Sequence, residues 1–341
     1  VAINSISCSE AQIAEEVFQR LRSAEHLEVE RVGDNVVART FGSHRRRVIV
    51  AGHLDTVPGD PSAATLSNGV LHGLGACDMK GSLAVMLERA LDPSPLALEV
   101  TWIFYAREEI ARSKSGLLEL AELRPEFLVA DAALLAEPTN GVVEAGCQGT
   151  VRISVSLKGQ RAHSARPFAG RNAIHRMGEL IARVASYESR VAIIDGISYA
   201  EQMQVVMIDG GVAANVVPDL ANCTINHRFA PDRSLAEAAK FVRELLGDLV
   251  ENDDIFEVVD GAPGAPPALT HELIAALVDA TGAPARAKVG WTDVATFYEM
   301  GVPAANFGAG DPLLAHRSDE FVTLEQLEQF NVALESYLHT N

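Results

Sequence analysis

Apolar and polar positions along this chain follow two different rhythms, and the change falls near Gly149. Before it, short apolar runs of strand length alternate with segments of helical spacing. Residues 10–23 place Ile13, Val17, Phe18 and Leu21 on one helical face, with Ser9 as the N-cap. Strand-like stretches at 35–39 and 48–51 follow and flank the basic turn 44–47, whose three arginines read as a solvated edge before an anion site. A helix over 82–91, a strand at 100–105, a helix near 117–123 and a strand from Ala132 continue the alternation. Strand and helix in turn predict an α/β fold, with a mainly parallel sheet covered by helices on both faces.

Beyond Gly149 the period falls to two. Val151, Ile153, Val155 and Leu157 alternate with polar residues and predict a half-exposed strand. A helix over 172–187, strands at 202–208 and 221–229, a helix over 234–246 and a strand at 255–259 complete a β-α-β-β-α-β order, the pattern of a separate α+β domain. The Gly- and Pro-rich stretch 261–267 reads as the linker back, and the segments holding Leu273, Leu277 and Val289 rejoin the first domain. The predicted division is 1–149 with 260–341 for the larger domain, and 150–259 for the insertion.

Composition narrows the partners. The chain has 341 residues, 48% of them hydrophobic, enough for a large core in two domains. Its 28 basic and 46 acidic residues leave a net charge of −18, which disfavours nucleic acid and anionic membrane surfaces. No apolar run reaches the roughly 18 residues of a membrane helix, and the start lacks the basic-then-apolar pattern of a signal peptide, so the expectation is a cytoplasmic protein. Cys8, Cys77, Cys147 and Cys223 show no CxxC spacing, fit reduced thiols, and are set aside as zinc ligands.

Candidate chemistry collects just past the strand-like runs. The run 48–51 leads into His53 and Asp55, 100–105 into Glu108 and Glu109, 132–136 into Glu137, and 304–307 into a loop holding His316. Ligands of α/β proteins gather beyond the carboxyl ends of sheet strands, so these clusters can share one crevice. Carboxylates and imidazoles gathered there need a counter-charge, and together they suit divalent zinc, cobalt or manganese. In His53-Leu54-Asp55, strand alternation lets Asp55 hold one ring nitrogen while the other binds metal.

The loop Gly73-Leu-Gly-Ala-Cys-Asp78-Met-Lys-Gly81 fails both phosphate-loop fingerprints, because Asp78 stands where the dinucleotide motif needs glycine and Lys80 is not part of Gly-Lys-Ser/Thr. A turn that lifts Asp78 makes it either a helix cap or, with two oxygens, a ligand shared by two cations. Glu108 and Glu109 are expected to divide into a metal ligand and a general base. Pro138 stiffens the turn that presents Glu137, and the acids Asp319 and Glu320 stand behind His316 to orient its ring. Singly, each group has a plainer reading as a cap, a solvated acid or a loop histidine.

Read in order, Gly52-His53-Leu54-Asp55-Thr56-Val57-Pro58, the Gly73–Gly81 loop, Glu108-Glu109, Glu137-Pro138-Thr139 and Ala315-His316-Arg-Ser-Asp-Glu320 resemble the M20 family of dinuclear zinc amidohydrolases and peptidases, over nearly the whole chain. The resemblance implies a zinc-peptidase-like catalytic domain with an inserted lid and dimerisation domain. One metal would be held by His53 and Glu137, the other by Glu109 and His316, with Asp78 bridging, Glu108 as base and Asp55 orienting His53. His163 of the lid would stabilise the oxyanion across a homodimer interface, and Asn215 and Arg228 would bind the carboxylate end of the substrate. A bidentate guanidinium at Arg228 suits a carboxylate on its own chemistry as well.

Glu144-Ala-Gly-Cys-Gln-Gly149, Arg161-Ala-His-Ser-Ala-Arg166, Arg228-Phe-Ala-Pro231, Gly290-Trp-Thr-Asp293 and Asn306-Phe-Gly-Ala-Gly-Asp311 narrow the resemblance to the family's deacylases. The implied reaction is hydrolysis of the amide of an N-acyl amino acid, N-succinyl-LL-2,6-diaminopimelate first, with an acetylated amino acid or a dipeptide as the alternative. Gly290, Trp291 and Thr292 belong to the implied substrate contacts. The chain departs from the pattern at Thr296, where arginine is usual, and at Cys77, where serine, threonine or valine is usual. A non-catalytic binding member would have lost a ligand or the base, and none is lost.

Overall fold

The protein is described by a computed structural model covering residues 1–42, 46–60 and 64–340; His44 and Arg45 of the predicted basic turn lie outside the described residues. The chain forms two units, one made of residues 1–146, 267–287 and 292–341, the other of 147–266 and 288–291. Each has its own apolar core. Val289, which the apolar pattern assigned to the larger unit, groups with the smaller one and is exposed. The reason is local: Gln148 N donates to the Lys288 carbonyl at 3.2 Å, and Trp291 Nε1 donates to that of Pro263 at 3.1 Å.

The larger unit is built on an eight-stranded sheet in the order Leu27–Val32, Asn35–Thr40, Glu99–Tyr105, Arg47–His53, Ala132–Leu135, Ala304–Asn306, Glu144–Ala145, Arg286–Ala287. Its middle four strands are parallel, with Val48 beside both Val100 and Ala132, and Ala305 beside Leu134. Val48 to His53 are all buried, so side chains on both faces of this strand are covered. That accounts for an unbroken apolar run where a half-exposed strand would alternate. Helices Ala11–Leu21, Gly81–Leu91, Glu272–Thr281 and Leu324–Leu338 supply Val17, Met86, Leu277 and Phe330 to the same core as Val48 and Val50.

The first helix begins without the expected serine cap. Its N-cap is Glu10, which makes no capping hydrogen bond. The Glu10 carboxylate is buried and instead accepts the backbone N–H of Arg107 at 3.0 Å, a tertiary bond that draws it away from its own helix.

The smaller unit follows the predicted β-α-β-β-α-β order. Its four-stranded sheet runs Gln202–Gly210, Leu220–Phe229, Gly149–Lys158, Ile255–Ala262, antiparallel throughout. Val151, Ile153, Val155 and Leu157 face helices Ala173–Ala185 and Leu235–Leu246 through Met177, Leu180 and Val242. Asn172 caps the first helix, and Ser234 forms a capping box with Glu237 at the second. A hairpin, Val191–Ile194 with Ile197–Ala200, joins these elements and was not foreseen. No helix among the described residues is long and apolar enough to cross a membrane.

Ser234→Ala removes one half of the capping box and is expected to destabilise the smaller unit by about 1 kcal/mol. Urea unfolding measures the loss. An unchanged midpoint, or a change in bound metal, contradicts the assignment, since His53, Asp78, Glu109, Glu137 and His316 all lie in the other unit.

Candidate metal centre

The middle strands of the larger unit are parallel, so their carboxyl ends share one edge of the sheet. His53 is the last residue of Arg47–His53, Glu108 and Glu109 follow Glu99–Tyr105, Glu137 follows Ala132–Leu135, and His316 lies in the loop after Ala304–Asn306. Asp78 arrives from a different direction, on the glycine loop that leads into helix Gly81–Leu91. Gly75 turns that loop with φ +76°, where an added Cβ would meet Thr56 Cγ2 at 2.7 Å. Asp78 itself is extended, with φ −119° and ψ 93°, and the Asp78–Met79 peptide is cis. The cap position of helix Gly81–Leu91 is held by Lys80, so Asp78 is not its cap.

The side chains form two triads that share Asp78. Asp78 Oδ1 lies 3.0 Å from His53 Nε2, which is 3.9 Å from Glu137 Oε1. Asp78 Oδ2 lies 3.4 Å from His316 Nε2, which is 2.8 Å from Glu109 Oε1. Ligand atoms within each triad are all within 4.8 Å of one another, and the same is true of His53, Glu108 and Glu109. The carboxylate of Glu108 enters no side-chain hydrogen bond among the described residues.

Electrostatics explains why this cluster calls for cations. Burial works against a charged imidazole at His53, yet the carboxylates of Asp55, Asp78 and Glu137 hold its pKa well above the ordinary value. Burial opposes the ionised form of Asp78 too, but His316 and His53 keep its pKa well below the usual carboxylate range. At Glu108, burial and then the charge of Glu137 push the pKa far up. Hydrogen bonds from His316 to Asp78 and Glu109 raise the imidazole to about 10. Protons on two histidines are thus the positive charge that this carboxylate set draws in. The donor set, imidazole nitrogens and carboxylate oxygens in two groups around one shared carboxylate, fits a pair of divalent metal ions.

A second layer of carboxylates holds the ligand-bearing loops by their backbone amides. Asp55 Oδ1 and Oδ2 accept the N–H groups of Glu108 and Glu109, each at 3.0 Å, and Oδ2 also accepts the Ser7 hydroxyl at 2.7 Å. The ring of His53 turns Nδ1 to the Asp55 carbonyl oxygen at 3.0 Å, with the carboxylate farther off at 3.6 Å. Asp55 thus holds the Glu108–Glu109 loop as well as facing the His53 ring. Ser7 and Glu10 escaped the sequence reading, because nothing local marks a residue whose partner is a distant backbone amide. Neither acid behind His316 turns to its ring: Asp319 pairs with Arg317 at 2.8 Å, and Glu320 reaches the Cys77 and Asp78 amides.

Of the residues expected to meet substrate, His163, Asn215, Arg228, Gly290 and Trp291 lie in the smaller unit and Thr292 in the larger. His163 pairs with Val216 across a two-residue ladder, and Ser164 N donates to the Asn215 carbonyl at 2.9 Å, which brings His163 and Asn215 together. Thr292 is buried and donates its hydroxyl to Asn306 Oδ1 at 2.9 Å. Thr296 donates to Asp293 Oδ1 at 2.6 Å, and Arg112 Nε reaches the Thr296 hydroxyl at 3.4 Å. The Cys77 thiol is buried against the Asp311 carbonyl at 3.2 Å.

Residues 49–340 match peptidase family M20/M25/M40, and the chain belongs to that family, whose members are metal-dependent amidohydrolases. Over 340 residues it is 45% identical to a putative succinyl-diaminopimelate desuccinylase of Mycobacterium tuberculosis, covering 99% of this chain and 95% of that one. A succinyl-diaminopimelate desuccinylase of Corynebacterium glutamicum is 45% identical over 346 residues, with 99% and 94% covered. An acetylornithine deacetylase of Myxococcus xanthus is more distant, 28% identical over 331 residues, with 93% and 86% covered. Among solved structures, a tripeptidase of Staphylococcus aureus superposes with a TM-score of 0.81 at 20% identity, covering 99% and 94%, which supports the fold.

The His316 shift predicts a pH dependence for the metal-free protein. Its imidazole has a folded value near 10 against an ordinary 6.5, so its ion pairs contribute stability fully below pH 6.5. That contribution is lost as pH rises through about 10. Metal-free wild type should therefore lose more stability between pH 7 and 10 than metal-free His316→Ala, as read from melting temperatures across that range. Parallel profiles for the two proteins count against the assignment.

Proposed function

We propose that this chain removes the succinyl group from N-succinyl-LL-2,6-diaminopimelate, releasing succinate and LL-2,6-diaminopimelate, a step of lysine and diaminopimelate biosynthesis. The observation that carries the reaction type is the division of Asp78 between two triads beside the uncommitted carboxylate of Glu108. The substrate rests on the 45% identity, over 99% of the chain, to the two desuccinylases.

In this reading His53 and Glu137 would hold one zinc ion and Glu109 and His316 the other, with Asp78 as the ligand offered to both; cobalt or manganese could substitute. When bound, the metals polarise the scissile carbonyl and acidify water. Glu108 takes the proton of the attacking water and delivers it to the leaving nitrogen. Burial and the nearby Glu137 raise its proton affinity, which suits a group that must hold and then release a proton. Asp55 keeps both Glu108 and Glu109 in place through their amides.

His163 is assigned to the oxyanion. Its Nδ1 accepts the Ala165 amide at 3.1 Å, so the ring proton sits on Nε2 and is available for donation. The reading has it act across a homodimer formed through the smaller unit. Support comes from the edge strand Gln202–Gly210, where Val206, Met207 and Ile208 are exposed, an arrangement that invites a partner.

Arg228 and Asn215 are assigned to the substrate carboxylate, with Gly290, Trp291 and Thr292 completing the contacts. Arg228 makes no ion pair among the described residues, and burial lowers its pKa, so an incoming carboxylate offers it the partner it lacks. Four free cysteines fit a reducing cytoplasm. Deacetylation of N-acetylornithine is the second reading, supported by the 28% identity to the Myxococcus enzyme.

Glu108→Gln should keep both metals and lose turnover by about a hundredfold to ten-thousandfold, the usual worth of a general acid–base. Retained turnover with full metal content sinks the base assignment. His163→Ala should lower kcat about a hundredfold or more with zinc content unchanged, since one oxyanion donor is removed; loss of zinc would show the residue misassigned. Zinc-dependent hydrolysis of N-succinyl-LL-2,6-diaminopimelate, measured beside N-acetylornithine and simple dipeptides, should favour the succinylated substrate. A higher kcat/KM for either competitor overturns the substrate.

A further inference from the structure

Glu320, 1% exposed, forms no hydrogen bond or ion pair with a candidate ligand side chain among the described residues. Its Oε1 accepts the backbone N–H of Cys77 at 2.8 Å and of Asp78 at 2.9 Å, and its own carbonyl accepts the N–H of Gly73 at 3.0 Å. A single residue thus grips the glycine loop at its entry and at Asp78. No lysine or arginine forms an ion pair with Glu320 among the described residues. The nearby ammonium of Lys80 is hydrogen-bonded to the Ile3 carbonyl at 2.8 Å and offsets the charge only from a distance. A buried carboxylate needs hydrogen-bond donors, and here they are amides of the loop that carries the shared ligand.

We propose that Glu320 is a positioning residue for the dinuclear centre, setting the direction of the Asp78 carboxylate through the Cys77 and Asp78 amides. Asp78 points one oxygen at His53 and the other at His316, so a shift of its backbone misaligns both triads together. Loss of His316 itself removes a ligand from one triad alone. Glu320 and His316 also share one short segment, so the loop that delivers a ligand to one metal fixes the carboxylate that joins both. The inference rests on the reading of the two triads as metal sites.

Cobalt(II) titration of the metal-free protein, followed by visible absorption, tests it. Glu320→Ala should weaken both binding steps by about 10- to 100-fold, the usual effect of losing a group that orients a ligand. Glu320→Gln keeps a carbonyl oxygen for the same two amides and should restore both steps to within a few-fold of wild type, with a wild-type cobalt spectrum. Should Glu320→Ala fail to fold, Glu320→Asp, charged but too short to reach, takes its place with the same expected loss. Wild-type cobalt affinity in the alanine or aspartate variant overturns the proposal. So does a glutamine variant as weak as the alanine one, because charge and not the amide grip would then be responsible. Wild-type protein that takes up no cobalt would instead defeat the metal-site reading itself.

Discussion

The centre depends on carboxylates that accept backbone amides. Asp55 takes two successive N–H groups at Glu108 and Glu109, Glu320 takes those of Cys77 and Asp78, and Glu10 takes that of Arg107. Each acid is buried, and an arginine or lysine would be the commoner way to satisfy it. An amide fork serves differently. It supplies partial positive charge and fixes a loop without placing a permanent cation among the ligands, where it would compete with metal ions for the same oxygens. Both oxygens of Asp55 but only one each of Glu10 and Glu320 are satisfied in this way, and Glu10 Oε2 and Glu320 Oε2 stay buried without a hydrogen-bond partner among the described residues.

The sheet makes this arrangement possible. Val48 to His53 and Glu99 to Tyr105 are buried along their whole length, so their length and spacing are set by packing alone. At the carboxyl ends the candidate ligands enter at or past the last residue, and parallel pairing brings those last residues to one edge. The Asp78 loop completes the set because Gly75 takes a backbone conformation that a side chain would oppose, with no room for a Cβ against Thr56.

What could be read from the sequence divides along physical lines. The clustering of His53, Glu108, Glu109, Glu137 and His316 was legible because each follows an apolar strand, and strand periodicity is a local signal. Asp78 was legible by chemistry, since the glycine loop around it cannot bind phosphate as its rivals do. The acids of the outer layer were not. Glu320 stands four residues from His316, a spacing that predicts a contact with its ring, whereas its partner Cys77 is 243 residues away in the chain. Ser7 and Glu10 have the same history, and the Ser9 cap failed for a related reason, the commitment of Glu10 to Arg107. Side-chain bonds to remote amides leave no periodicity behind, so only folding together the elements reveals them.

The same distinction bears on the departure at position 296. Thr296 carries no charge, and its hydroxyl is bound to Asp293 at 2.6 Å, so the residue itself cannot replace a guanidinium. Yet a guanidinium stands beside it. Arg112, three residues beyond Glu109, reaches the Thr296 hydroxyl at 3.4 Å and pairs with Glu299 on the same short helix, Val294–Glu299. A cation at this point is thus carried by the segment that follows Glu108 and Glu109, and not by the helix that follows Trp291 and Thr292. Residue type at one position is a poor guide to local charge when two segments meet there: the guanidinium beside Thr296 comes from Arg112, and Glu299 already pairs with it.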